Sequence, residues 1–347
     1  WTACRKKIGR LSPPGAENLT RLCERLMNDF DAIGLLKKKV GVPFHCRFEN
    51  DRCVELDLAS QDYIFRGLVR HRTQSEKADI LRVIAGLTYL QRLNLRSNMV
   101  HSVPDYFGNL THLRYLDLSS NHLEKVPLWI QEIQDLEHLN LSANEISELP
   151  SFLSKFHNLK TLRLHKNTFR IYPDEYGAFA RLELLNLYSS RLKYIPSFIF
   201  DYSKLRVLAW GVTPISELPA EIERLQELEC LMLQCNCVRV LPETLCGLKH
   251  LKGLFLLQNK LKELPKDIGN LENLEHMTLY QNELCSLPAS FERLKNLQKL
   301  NLAWNRFEEF PSVIMGLPKL EWFGFFHNPI RGDMPRLNHI KEVMLEK

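Results

Sequence analysis

The sequence predicts an α/β repeat solenoid, a stack of flat coils rather than a globule around one closed core. Three observations carry this. Asparagines recur every 23 residues at Asn98, Asn121, Asn144 and Asn167 and again at Asn236, Asn259, Asn282, Asn305 and Asn328, with Ser190 and Thr213 filling the gap in register. Prolines run in parallel six residues later, from Pro104 to Pro311. Residues 76–328 hold eleven such units without insertion or deletion. A fixed period of this length marks units that bury their apolar surface against their neighbours.

Each element of the unit has a physical reason. Leu116 and Leu118 are two apart, as a strand requires when both point to one side. Ile130, Ile133 and Leu136 are three apart, which suits 3-10 turns or a short irregular helix on the opposite side. The asparagine sits where the chain leaves the strand. Its amide both donates and accepts, so a column of such side chains can satisfy backbone groups that the turn would otherwise bury unpaired. The proline donates no hydrogen bond and fixes φ, which suits an extended run after the strand.

The residues Leu113, Leu116, Leu118, Asn121, Leu123, Val126 and Pro127 spell L-x-x-L-x-L-x-x-N-x-L-x-x-L-P. This resembles the leucine-rich repeat family in its 23-residue form, which is similar to the repeats of Ras-binding and cell-polarity scaffolds and of many bacterial repeat proteins. The resemblance covers about three quarters of the chain. It implies a horseshoe with a parallel β-sheet on the concave side and 3-10 or short-helical segments on the convex side. It says little about function, because the scaffold hosts many partners.

Outside the regular units the sequence predicts caps. Residues 1–53 read as an N-terminal helical and β-hairpin cap, 54–328 as the solenoid and 329–347 as a C-terminal cap. Leu19, Leu22, Cys23, Leu26, Met27, Phe30 and Ile33 have helical spacing within 16–37, after the break Ser12-Pro13-Pro14-Gly15. That helix reads as a cap or as the tail of an upstream domain, with Arg5-Lys6-Lys7 and Lys37-Lys38-Lys39 touching an acidic partner. Residues 44–58 read as a hairpin turning at Glu49-Asn50-Asp51. Leu56 and Leu58 begin a degenerate first coil with Gln61 in place of the asparagine, and the spacing to Asn98 predicts a helix through 62–84. Residues 335–347 read as a closing helix or strand. Ser190, Thr213, Trp210 and Gly211-Val212-Thr213-Pro214 mark two defective coils, where a local change of curvature is expected.

Composition bounds the function. The chain has 347 residues, 46 basic and 41 acidic, with 45% hydrophobic and 25% charged side chains. The first fifty hold ten Lys/Arg against five Asp/Glu, so the net +5 lies there and the repeats are neutral, which argues against a nucleic-acid surface. No apolar run reaches the ~18 residues of a membrane-spanning helix. The chain opens on Trp1, which reads as processed or trimmed, and no signal peptide pattern is visible. The nine cysteines show no evenly spaced framework and fit a reducing, cytoplasmic setting, including that of a bacterial protein delivered to a host cell. Cys46 and Cys53 could face each other across the hairpin. Cys230, Cys235, Cys237 and Cys246 lack the convergent spacing of a metal site. An acceptor triplet at Asn140 would place a glycan on the sheet. No hydrolase, kinase, zinc-protease or phosphate-loop motif occurs, so no catalysis, metal or cofactor is expected.

The concave face is the expected binding surface, built from positions six, four, two and one before each ladder residue. Its first coils carry Arg92, Arg96, Tyr115, Asp117, His138, Arg163, His165 and Lys166. The middle coils carry Tyr188, Val207, Ala209, Val212, Met232, Phe255 and Leu257, and the last carry Tyr280, Trp304, Trp322, Phe326 and His327. Exposed aromatic residues in such a row are typical of binding hot spots. The expected function is non-catalytic capture of a protein or peptide partner. The alternative is that the chain is the recognition or sensor part of a larger enzyme, such as a bacterial effector ubiquitin ligase or a repeat-linked GTPase.

Overall fold

The computed structural model describes residues 28–41, 43–59, 74–169, 179–332, 334–337 and 340–345. They form two compact units, one containing the residues up to His122 with Pro127–Leu136, the other containing Leu123–Val126 and the residues from Glu137 on. Fourteen strands are laid down in chain order.

The first unit begins with helix α1, Asp29–Val40. Asn28 caps it by accepting the Asp31 amide at 2.9 Å, and Gly41 closes it at φ 79° with its N–H on the Lys37 carbonyl. Asp29 and Asp31 in the first turn and Lys37, Lys38 and Lys39 in the last complement the helix dipole. Lys39 is also paired with Asp79 at 3.0 Å, so this basic cluster has a structural use. The expected helix over 16–37 lies mostly outside the described residues, and its described part runs on to Val40.

Strands β1, His45–Glu49, and β2, Arg52–Asp57, form the hairpin, with Asn50 and Asp51 both at positive φ. The buried carboxylate of Asp29 accepts the Cys53 amide at 2.7 Å, which fastens α1 to β2. Phe30 stacks on Phe48 with ring centroids 4.2 Å apart. The hairpin register corrects the expected cysteine facing: an irregularity after Arg47 sets Phe48 opposite Cys53 and Leu56 opposite Cys46, and both thiols are free. β2 then pairs in parallel with β3, Arg92–Asn94, which pairs with β4, Tyr115–Asp117. Before β3 comes helix α2, Gln74–Ala85, the described part of the helix expected through 62–84.

In the second unit β5, His138–Asn140, is followed by a three-residue parallel strand every 23 residues as far as β13, Trp322–Gly324. The closing segment resolves as a strand, β14, Glu342–Met344, which sets Val343 against Phe323. The central leucine of the strand is sealed in coil after coil, as at Leu185, Leu231 and Leu254. Each such side chain contributes roughly 1.5–3 kcal/mol. Behind the strands, 3-10 helices such as Glu243–Gly247 begin at a proline. The Pro242 carbonyl accepts the Leu245 amide at 3.1 Å, so the proline opens the turn as well as extending the chain.

The asparagine ladder is knitted to backbone. Asn259 donates from Nδ2 to the carbonyls of Leu233 and Leu256 at 2.9 and 3.1 Å, and its Oδ1 accepts the Val238 amide at 3.0 Å. Asn282 and Asn305 repeat the arrangement one and two coils on. One side chain therefore binds its own coil and the previous one. The defective coils keep the spacing: Ser189 donates to the Gly211 carbonyl and Val212 to the Gln234 carbonyl, both at 2.7 Å, and the strand pairing continues unbroken. The change of curvature expected from these substitutions finds no support in the bonding between these coils, which continues. The two substitutions nevertheless differ. Thr213 Oγ1 donates to Asn236 Oδ1 at 2.6 Å, whereas the buried Ser190 hydroxyl has no partner among the described residues.

Two substitutions test the ladder. Asn259→Ala strips the Val238 amide of its acceptor, while the Leu233 and Leu256 carbonyls each keep a donor in Asn236 and Asn282, so urea unfolding should show a loss of about 1–3 kcal/mol. Ser190→Asn should raise stability by about 1 kcal/mol by restoring a missing bond, and a loss there would contradict the ladder's role.

Candidate functional site

Each strand ends in a residue four before the ladder position, and in several coils that residue is already employed. Asn186 Oδ1 accepts the Tyr188 amide at 3.0 Å and Asn301 Oδ1 accepts the Ala303 amide at 3.1 Å, closing the turn out of the strand. Asn140 Oδ1 takes both the amide and the hydroxyl of Ser142. In the first unit Asp117 does the same with Ser119 and is 5% exposed. Asp117 is thus withdrawn from the expected binding set, because its carboxylate completes a turn. Ala209 is also buried, at 2%. Where no such side chain is needed, Met232 and Phe255 occupy the position and lie half-buried.

The arginines of the first unit are partly spoken for. Arg92 Nε lies 3.3 Å from Glu55, and its guanidinium sits 3.7 Å from the centre of the Tyr115 ring. Arg96 is exposed. In the second unit Lys166 is exposed and His138, Arg163, His165 and Tyr188 are half-buried on the open face.

Toward the C-terminus, aromatic rings lie flat over small residues. Tyr280 and Phe326, two coils apart, approach to 6.4 Å between centroids across the intervening Ala303, which is fully buried. Trp304 packs on His327 at 4.3 Å, and Phe326 meets His327 edge-on at 5.5 Å. Trp322 covers Gly324 and Phe255 covers Gly253 so closely that a Cβ on either glycine would come within 2.8 Å of the ring. Trp304 stays 46% exposed, so a large apolar side chain is held in water by its neighbours. Leu257 is half-buried beside this group.

Two features went unread in the sequence. The residue before every ladder position is left-handed, with φ between 52° and 58° from Ser97 to His327. None of these is glycine or asparagine, so no local signal announces the turn; they include Lys166, Val212 and Trp304. The conformation is held by backbone bonding to the next coil, since the Trp304 amide donates to the Phe326 carbonyl at 2.9 Å. The second is a rim seven residues before the ladder positions from Asn144 to Asn282, which reads Glu137, Lys160, Glu183, Arg206, Glu229, Lys252 and Glu275. Opposite charges meet across it: Lys160 and Glu137 at 2.6 Å, Lys252 and Glu229 at 3.1 Å, with Arg206 also on Glu229. The Arg206 hydrogen bond is the main cause holding the Glu229 carboxyl below its ordinary value. This alternation was open to reading at the same 23-residue spacing.

Three of the described cysteines serve as packing groups. Burial pushes the thiols of Cys230 and Cys246 up to about 11 and that of Cys53 to about 12. No group of three His, Cys, Asp or Glu among the described residues is placed to hold a metal ion. No described helix is long and apolar enough to cross a membrane.

A family model described as leucine-rich repeat region matches residues 73–208 and 196–283, and one described as leucine rich repeat matches 296–317. No curated protein matches the chain in sequence. Among solved structures, a leucine-rich repeat protein of Leptospira interrogans is 26% identical, with a TM-score of 0.67 over 84% of this chain and 83% of that one. The Arabidopsis receptor kinase HAESA, in complex with the peptide hormone IDA and the co-receptor SERK1, is 25% identical with a TM-score of 0.62. That match covers 81% of this chain but 55% of the receptor chain. An internalin of Listeria monocytogenes shares the fold at 19% identity and a TM-score of 0.65, over 91% of this chain and 94% of that one.

Val212 tests the imposed backbone. A β-branched residue at φ 54° is strained, so Val212→Gly should raise stability by about 1 kcal/mol in thermal unfolding while Val212→Ile gives no gain. Destabilisation by the glycine would show that the position is not strained.

Proposed function

The chain belongs to the leucine-rich repeat family, and from that premise we propose that it is a non-catalytic protein-binding module whose partner lies along the open face of the second unit's sheet. The observation that carries the reading is the joined group of Tyr280, Trp304, Phe326 and His327, which keeps aromatic surface exposed on a sheet whose core positions are sealed. Exposed aromatic anchors on a preorganised support are what binding hot spots require, because little side-chain entropy is lost on docking. Rings resting on Ala303 and Gly324 are already ordered before a partner arrives. The peptide complex of HAESA supports the same use of this fold. The seven described cysteines are free thiols, which supports a reducing compartment.

The test is affinity capture with quantitative mass spectrometry. Trp304→Ala combined with Phe326→Ala should reduce partner recovery by tenfold or more, at about 2 kcal/mol or more for a hot-spot residue, with thermal unfolding little changed. Equal recovery by the variant would place the partner elsewhere.

A further inference from the structure

The open face of the second unit carries no acidic residue. At the four face positions of every coil from His138 to His327 there is neither Asp nor Glu, in a chain with 41 of them. Acids stand on the rim instead, where some are met by bases, as Glu137 is by Lys160 and Glu229 by Arg206 and Lys252. Part of the rim's charge is paired within the rim, and the cations of the face meet no acid on the face. Positive charge on the face is also unevenly placed. Near the aromatic end Lys299 is the single lysine or arginine at the face positions, whereas Arg163 and Lys166 share one coil. Arg163 and Lys166, at the other end, have no carboxylate partner among the described residues.

We propose that this face takes one extended peptide segment of a protein partner, about ten residues long, with acidic side chains at one end over Arg163 and Lys166 and apolar or aromatic side chains at the other over Tyr280, Trp304 and Phe326. The inference rests on the reading that a protein partner binds this face, and adds its chemistry and direction. The length follows from the coil count. Seven coil steps separate Asn167 from Asn328, which at ~4.8 Å per strand is roughly 34 Å, the span of about ten extended residues. The width follows from the strands: three residues each, roughly 10 Å, admit a single extended chain between the rims. Charge complementarity then sets orientation. Unpaired cations at one end attract carboxylates, and no face acid repels them anywhere along the path. A segment laid the other way would set its carboxylates over one cation, Lys299, in place of two, and its apolar side chains over Arg163 and Lys166.

The experiment is a peptide array read by fluorescence anisotropy against the whole chain. The ten-residue peptides are acetylated and amidated, so that no terminal charge contributes. One set has Asp and Glu at one end and Leu, Phe and Trp at the other; a second has the same composition with the two kinds alternating. The first set should bind more tightly, on the order of tenfold, and weaken between 50 and 500 mM salt, an effect absent for peptides with Gln in place of the acids. Arg163→Glu with Lys166→Glu should lose tenfold or more toward the acidic set and regain it toward peptides carrying Lys there. Equal binding of the two sets, or indifference to salt and to the charge reversal, overturns the inference. If binding then still depends on Trp304, the partner-binding reading survives and the acidic-end assignment alone falls. If no peptide of either set binds, the extended-segment assignment falls, and the capture experiment with Trp304→Ala and Phe326→Ala judges the broader reading separately.

Discussion

A buried amide that must reach backbone on two successive coils decides where each coil can sit. Asn259 holds carbonyls of its own and the preceding turn and takes an amide from the preceding coil, and each later asparagine repeats the arrangement. An unpaired polar group in this interior would cost as much as several packed methylenes contribute, so the ladder tolerates no slip in register. The leucines supply the greater part of the stabilisation, but they are interchangeable in a way the amides are not.

The rest of the molecule follows from that fixed register. Because the regular coils repeat at 23 residues, side chains at one repeat position form a row, and each row has its own chemistry. The rim row alternates charge from Glu137 to Glu275 and pairs part of it. The row before the ladder is bent into a left-handed conformation and holds Trp304 outward. The strand-end row closes turns where it is Asn or Asp and is released for contact where it is Met232 or Phe255. Function on such a scaffold becomes a matter of which rows are excused from structural duty, and in the second unit the excused rows are basic at Arg163 and Lys166, aromatic toward Phe326, and free of acid.

The repeat, its strands and its 3-10 turns were legible because they rest on periodic apolar residues and on an amide with an evident hydrogen-bonding task. The hairpin turn was legible from Asn50 and Asp51, which take positive φ readily. What escaped reading depends on contacts between coils. Asp117 looked like a surface acid until its bonds to Ser119 closed a turn. Cys46 and Cys53 looked opposed until one irregularity in the hairpin displaced them. Val212 and Trp304 gave no hint of left-handed backbone, since their own propensities argue against it and hydrogen bonds to neighbouring coils overrule them. Ser190 and Thr213 looked alike as hydroxyl substitutes, and they differ because Thr213 finds Asn236 while Ser190 finds no partner among the described residues.

The central claim is that the ladder amides, and not leucine packing alone, lock one coil to the next. Native-state hydrogen exchange of the backbone amides of Val238, Leu261, Leu284 and Phe307, which donate to the Oδ1 atoms of Asn259, Asn282, Asn305 and Asn328, tests it most directly. These amides lie outside the strands, yet they should exchange no faster than the strand amide of Leu254, with the denaturant dependence of global unfolding. Exchange at the rate of an exposed turn amide such as that of Lys249 would show that the ladder opens independently of the coils and does not hold them together.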